Sequence, residues 1–189
     1  MHNEPSPPRK LQSGNLILIG MMGSGKTTMG RALAKHLGKT FVDSDEEIQY
    51  RTGVTIPHIF DVEGEAGFRV REAQVIADLV LRDNLLLATG GGAVLTEHTR
   101  DVLPANGIVI YLRAQVHDLW LRTRNDKNRP LLQTGNAHAK LSQLFEQRDP
   151  IYQQVADLIV PSGKQSVHSM MLSLINEVEK FKGKHEGWE

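Results

Sequence analysis

Apolar residues along this chain fall into two spacings. Short, nearly continuous runs lie at Asn15 to Ile19, Leu85 to Ala88, Gly107 to Leu112 and Leu158 to Val160, with a shorter and more polar one at Lys39 to Val42. Runs of this length and β-branched character predict strands covered on both faces. Between them the spacing changes to three and four residues. That spacing predicts helices over Thr27 to Leu37, from Ser44 onward, over 54–80, near Thr96 to Leu103, from about Gln115, over Ala137 to Val155 and over Val167 to Phe181. Strand and helix alternate throughout, so the expected fold is a three-layer α/β/α sandwich around a five-stranded parallel sheet.

Punctuation residues refine the boundaries. Gly38 suits a helix C-cap, and Ser44 with Glu47 three residues on reads as a capping box. The helical stretch 54–80 should fall into two pieces, broken near Gly64 and Gly67. Pro150 should kink or interrupt the helix over 137–155, because it removes a backbone donor and crowds the preceding turn. Residues 1–14, with Pro5, Pro7, Pro8 and Gly14 among polar neighbours, read as a flexible tail. One domain is expected over 15–181, followed by a polar tail over 182–189.

Composition narrows the chemistry. A chain of 189 residues is large enough for one core without staples. It contains no cysteine, which excludes disulfides, thiolate metal sites and cysteine nucleophiles. Lys plus Arg and Asp plus Glu are 22 each, so no net field draws the chain to nucleic acid or to an anionic membrane. The apolar runs are far shorter than the ~20 residues that span a bilayer, and the N-terminus lacks the apolar stretch of a signal peptide. A cytoplasmic protein is the expectation.

The most informative stretch is GMMGSGKTT, Gly20 to Thr28. It fits G-x-x-x-x-G-K-[ST] and lies between an expected strand and an expected helix, as a phosphate-cradling loop must. Glycines at 20, 23 and 25 allow a curl that aims several backbone N–H groups inward. The following helix adds its unpaired N–H groups and the positive end of its dipole. Lys26 is the candidate bridge between β- and γ-phosphates, and the Thr27 hydroxyl the candidate Mg²⁺ ligand.

Other candidates gather around this loop. Asp43 and Asp45 either cap the next helix or serve the reaction, with Asp43 toward the metal and Asp45 toward the substrate. Arg69 and Glu72 lie three apart on one helix face. They form either a routine surface ion pair or a tethered anion clamp. Gly90, Gly91 and Gly92 end an expected buried strand, at the sheet edge where ligands sit; they make either a mobile turn or a backbone that something approaches closely. Residues 122–136 are polar and rich in arginine, a length that suits a lid, although solvated surface charge is the alternative. No H-E-x-x-H, no G-x-S-x-G and no N-K-x-D run is present, and Thr28 and Leu95 stand where a dinucleotide fingerprint needs glycine. A small phosphate-loop kinase is the class left standing.

Five motifs in order then resemble the shikimate kinase family. They are the phosphate loop, FVDSDEEIQYRTGVTIPHIFDVEGEAGFRVRE at Phe41 to Glu72, ATGGGAV at Ala88 to Val94, RPLL at Arg129 to Leu132, and R-x-P-x-Y at Arg148 to Tyr152. The resemblance covers roughly 15–160 and weakens beyond Val160, where an adenine-contacting loop near Pro161 to Gln165 would fall. It implies a P-loop, nucleoside monophosphate kinase-like fold with a substrate-binding segment near 44–80 and a lid near 122–136. The implied reaction is ATP-dependent phosphorylation of the 3-hydroxyl of shikimate, with Mg²⁺, by a monomer. On that resemblance Gly23, Ser24, Gly25, Lys26, Thr27 and Thr28 hold ATP, and Thr27 and Asp43 serve the metal. Asp45 binds substrate hydroxyls and is the candidate base; Arg69 and Arg148 hold the carboxylate, and Gly90 to Gly92 line the pocket. Arg129 reaches the transferring phosphate, while Arg122 lies against adenine. Two alternatives remain: a kinase for another polyol acid such as gluconate, and a nucleotide-binding module without turnover.

Overall fold

A computed structural model describes residues 14–125, 136–163 and 165–184. Residues 1–13, expected as a tail, residues 126–135, expected in a lid with Arg129, and residues 185–189 lie outside the described residues, as does Lys164. Five strands, β1 (Leu16–Ile19), β2 (Thr40–Asp43), β3 (Leu85–Ala88), β4 (Ile108–Arg113) and β5 (Leu158–Pro161), form one parallel sheet in the order β2-β3-β1-β4-β5. The helices are α1 (Lys26–Leu37), α2 (Ser44–Thr52), α3 (Ile56–Leu79), α4 (Glu97–Asn106), α5 (Val116–Thr123), α6 (Ala137–Val155) and α7 (Val167–Lys184).

The continuous apolar runs are explained by burial on two faces. Ile17 and Ile19 face the layer that includes α3 and α6, whereas Leu16 and Leu18 face Met29 and Leu33 of α1 and Leu174 and Val178 of α7. β1 sits at the centre. Its crossover leads to one side of the sheet and that of β3 to the other, so the topological switch lies between them. Loops leaving a parallel sheet at such a point open a crevice at the C-terminal edge. The two glycine-rich segments are the loops in question, joined where Thr89 N and Oγ1 both donate to Leu18 O at 3.1 and 3.2 Å.

Four local expectations are corrected. Asp43, not Ser44, caps α2: its Oδ1 accepts from Asp45 N at 3.0 Å and Glu46 N at 3.5 Å, while Glu47 instead accepts from Arg51 and Arg82. Asp43 wins because it ends β2 in the extended conformation a cap requires. α3 breaks at Gly64 alone, where φ 69 and ψ −179 fall in a region open essentially to glycine; Gly67 is helical. α6 runs uninterrupted through Pro150. α7 continues to Lys184, beyond its expected end at Phe181 and into the expected polar tail. Among the described residues no helix is long and apolar enough to cross a membrane.

Asn15, expected only as the first residue of β1, closes the opposite end of the sheet. Its buried Nδ2 donates to Val80 O at 3.1 Å and Arg82 O at 2.7 Å, and its Oδ1 accepts from Leu85 N at 2.8 Å. The side chain therefore stands in for a missing strand neighbour and sets where β3 begins. Asn15→Leu is expected to lower stability by about 2–3 kcal/mol, since the buried Leu85 N–H and Val80 carbonyl lose their partners. Urea denaturation reads this directly, and an unchanged midpoint would refute the role.

Candidate active site

The phosphate loop adopts the expected curl: Gly20, Gly23 and Gly25 have φ of 143, 79 and 94, and α1 starts at Lys26. Lys26 is buried, and its Nζ donates to the carbonyls of Gly20 at 2.8 Å and Met21 at 2.9 Å. Thr27 Oγ1 donates to Asp43 Oδ2 at 2.7 Å. One aspartate thus joins α1 and α2, one oxygen capping α2 and the other accepting from Thr27 of α1. A cavity of about 330 Å³ opens here, lined by Gly23, Gly25, Lys26, Thr27, Thr28, Asp43, Asp45, Gly91 and Arg122 among others. Hydroxyl and carboxylate oxygens beside a phosphate cradle are the hard donors that Mg²⁺ accepts while it keeps most of its waters. Thr27 and Asp43 fit that ion.

Arg122 stands between this cavity and a second of about 250 Å³ that reaches Ser162, Gly163, Gln165 and Met170. Its Nη1 donates to Gly23 O at 3.1 Å and its Nη2 to Gly163 O at 2.9 Å, while Ser162 Oγ donates to Ser24 O at 2.6 Å. The loop after β5, where the sequence resemblance fades, is therefore bound directly to the phosphate loop. Ser162 falls within the stretch Pro161 to Gln165 that the resemblance gives to adenine, but no motif singles it out.

On the other side of the crevice, Gly90 to Gly92 are enclosed rather than mobile. A Cβ added at Gly90 would lie 2.7 Å from Asp45 Oδ1 and against Glu72 Oε1; at Gly92 it would collide with the Arg69 guanidinium. The absence of side chains is what lets these groups close in. Gly90 N donates to Ser44 Oγ at 2.9 Å. The Gly91 carbonyl accepts from Arg148 Nη1 at 3.0 Å and from the Tyr152 hydroxyl. Asp45, Arg69, Glu72 and Arg148 meet around one turn.

The Arg69–Glu72 pair is not a surface ion pair. Glu72 is 1% exposed, and Arg69 Nη1 donates to its Oε2 at 2.5 Å while Nη2 reaches Glu65 at 3.1 Å. The Arg69 guanidinium lies over the Phe68 ring at 5.2 Å, and Phe68 in turn packs on Phe60 with ring centroids 4.8 Å apart. Among the described residues, six buried side-chain polar atoms lack a hydrogen-bond partner. Asp45 Oδ1, Arg69 Nε, Glu72 Oε1 and Arg148 Nε are four of them. Such atoms are costly unless something meets them, so their convergence marks a polar ligand site. Burial, with repulsion from Glu72 and Asp43, raises the Asp45 carboxyl from an ordinary 3.8 to about 7, against the pull of Lys26 and Arg69. Glu72 is likewise raised by burial, which outweighs Arg69 and Arg148.

The expected residues thus form two facing sets, with Gly23 to Thr28, Asp43 and Arg122 on one side and Asp45, Arg69, Gly90 to Gly92 and Arg148 on the other. Arg129 lies outside the described residues. The sequence model of the shikimate kinase family matches residues 22–179. Shikimate kinases from Thiobacillus denitrificans and Burkholderia lata are 58% and 56% identical to this chain, over 89% and 87% of it and 92% and 90% of their own lengths. A solved structure of shikimate kinase from Acinetobacter baumannii in complex with shikimate is similar with a TM-score of 0.88 and 44% identity, covering 91% of this chain and 96% of that one.

The raised Asp45 carboxyl has a measurable consequence. An acid with a higher pKa folded than unfolded binds protons more tightly when folded, so its contribution to stability falls as pH rises from about 4 to about 7. Asp45→Asn should therefore stabilise the ligand-free protein at pH 8 by at least about 1 kcal/mol, given ~1.4 kcal/mol per pKa unit. The difference from wild type should shrink toward pH 4. Equal stabilities at pH 8 would show that Asp45 is not strained in the folded state.

Proposed function

This chain belongs to the shikimate kinase family, and we propose that its two facing sets of residues divide the transfer of the γ-phosphoryl group of ATP to the 3-hydroxyl of shikimate, giving shikimate 3-phosphate and ADP. The reaction serves chorismate and aromatic amino-acid biosynthesis. The observation that carries the division of labour is the convergence on one glycine turn, beside the phosphate loop, of four charged groups that each keep a buried atom without a hydrogen-bond partner. A small carboxylated polyol needs cations at one end and acceptors for its hydroxyls.

Arg69 and Arg148 hold the carboxylate, because a planar guanidinium can bond both oxygens. Each such hydrogen bond to a charged group contributes about 1.5–3 kcal/mol. Glu72 and Glu65 hold Arg69 in its direction. Gly90 to Gly92 bring backbone close to the ring, and Asp45 accepts hydrogen bonds from the hydroxyls. As the hydroxyl oxygen bonds the γ-phosphorus and the β–γ bridging bond breaks, the hydroxyl proton passes to Asp45. A carboxylate near neutrality in pKa is well matched to that task.

On the nucleotide side, Lys26 and the amides of Gly23 to Thr28 hold the β- and γ-phosphates, and Arg122 lies against the adenine in the cavity bounded by Ser162 and Gly163. Thr27 and Asp43 would hold Mg²⁺, which when bound neutralises charge on the phosphate oxygens. Arg129 supplies positive charge to the transferring group from the lid near 122–136, closing the site against water. We further read the protein as a monomer, as the resemblance implies, and as cytoplasmic.

A coupled assay of ADP release with shikimate, gluconate and no acceptor tests the reading. Turnover should require shikimate; turnover with gluconate instead, or none with any acceptor, would overturn it. Arg129→Ala should lower kcat on the order of 10³-fold, at the low end for an arginine that stabilises a transferring phosphoryl group, with a smaller change in shikimate KM. A near-normal kcat would remove Arg129 from the chemistry.

A further inference from the structure

Pro150 stands in the turn of α6 that carries Arg148 and Tyr152. It has no N–H to offer the Glu146 carbonyl, and its ring crowds that carbonyl, so an interior proline ordinarily kinks or breaks a helix. Yet Ala137–Val155 runs as one helix. The support for this turn comes from outside it.

That support is Asp149. Its Oδ1 accepts from the Tyr111 hydroxyl at 2.7 Å and from Arg113 Nε at 2.9 Å; its Oδ2 accepts from Arg113 Nη2 at 2.8 Å and Gln153 Nε2 at 2.7 Å. Asp149 is buried, as is Tyr111 on β4, and a buried charge so bonded holds its helix firmly in place. Around the same turn, Arg148 and Tyr152 both donate to the Gly91 carbonyl. The Tyr111 and Tyr152 rings, centroids 4.8 Å apart, connect the two attachments. Asp149 bonds to β4 and to its own helix, so its influence on the reaction passes through the turn that carries Arg148 and Tyr152.

We propose that Asp149, held by Tyr111 and Arg113, is a positioning residue for Arg148: it replaces the support that Pro150 removes from the helix ladder and sets the direction in which the guanidinium meets the acceptor's carboxylate. The proposal rests on the reading that Arg148 binds that carboxylate. It makes the arginine's aim depend on a contact to the sheet rather than on the helix, and it makes Asp149 and Pro150 energetically coupled.

Steady-state kinetics of the full chain, with shikimate and ATP varied separately, tests it in Asp149→Ala, Pro150→Ala, the double variant, Tyr111→Phe and Arg148→Ala. Asp149→Ala should raise shikimate KM about tenfold and leave ATP KM within about twofold, because misplacement of a binding group is costly even at a small distance. Pro150→Ala restores the N–H and should stay near wild type. The double variant should recover to within about threefold of Pro150→Ala, since the repaired ladder then holds the turn. A purely structural Asp149 would lower Tm while leaving shikimate KM within about twofold, or would leave the double variant as impaired as Asp149→Ala; either result overturns the proposal. If Asp149→Ala does not fold, Tyr111→Phe removes one hydroxyl and no charge; about a threefold rise in shikimate KM supports the proposal and no rise overturns it. Arg148→Ala separates the two levels. An unchanged shikimate KM there would sink the underlying reading, whereas a raised one beside an unaffected Asp149→Ala would sink only the positioning role.

Discussion

Two carboxylates and two guanidinium groups converge on a turn that has no side chains, Glu72 and Arg148 buried and Asp45 and Arg69 partly so. That constraint organises the catalytic half of the molecule. Buried ion pairs seldom stabilise a fold, because the loss of hydration can exceed the Coulombic gain, and here several of the atoms are left without partners as well. The stability that tolerates this comes from the apolar sheet, whose β1 and β3 residues are all at or below 1% exposure. A rigid hydrocarbon centre and a strained polar rim are two parts of one arrangement.

Three consecutive residues show how the rim is assembled. Asp43 ends β2, caps α2 and meets Thr27; Ser44 receives the Gly90 amide; Asp45 faces the acceptor pocket. Successive residues at a helix start point about 100° apart, since an α-helix has 3.6 residues per turn. One turn of helix can therefore address the phosphate loop, the glycine turn and the substrate at once. The nucleotide and the acceptor are brought together by short covalent connections at the sheet's switch point, with no need for a separate domain interface.

The opposite wall is built differently. Arg69 is aimed by acids on its own helix, Glu65 four residues before it and Glu72 three after, with the helix broken at Gly64 just ahead of Glu65. Arg148 lies on a helix whose ladder is interrupted at Pro150, and its surroundings reach across to β4 and to Gly91. The two arginines serving one ligand are thus oriented by unrelated means, one local in sequence and one distant. A change that disturbs one need not disturb the other.

Much of this was legible in the chain. Apolar runs and helical spacing determine the five strands and seven helices found among the described residues, because burial on both sheet faces leaves a pattern that needs no neighbours to be read. The phosphate loop is equally local: glycines, lysine and threonine at fixed spacing next to a strand carry their chemistry with them. What tertiary structure alone decided are the matters that join residues far apart. It made Glu72 a buried partner rather than a surface one, gave the cap of α2 to Asp43, put Asn15 under β3, carried α6 through Pro150 and brought Ser162 to the phosphate loop. A side chain's burial and its partner are properties of the packed whole, and no spacing along the chain encodes them.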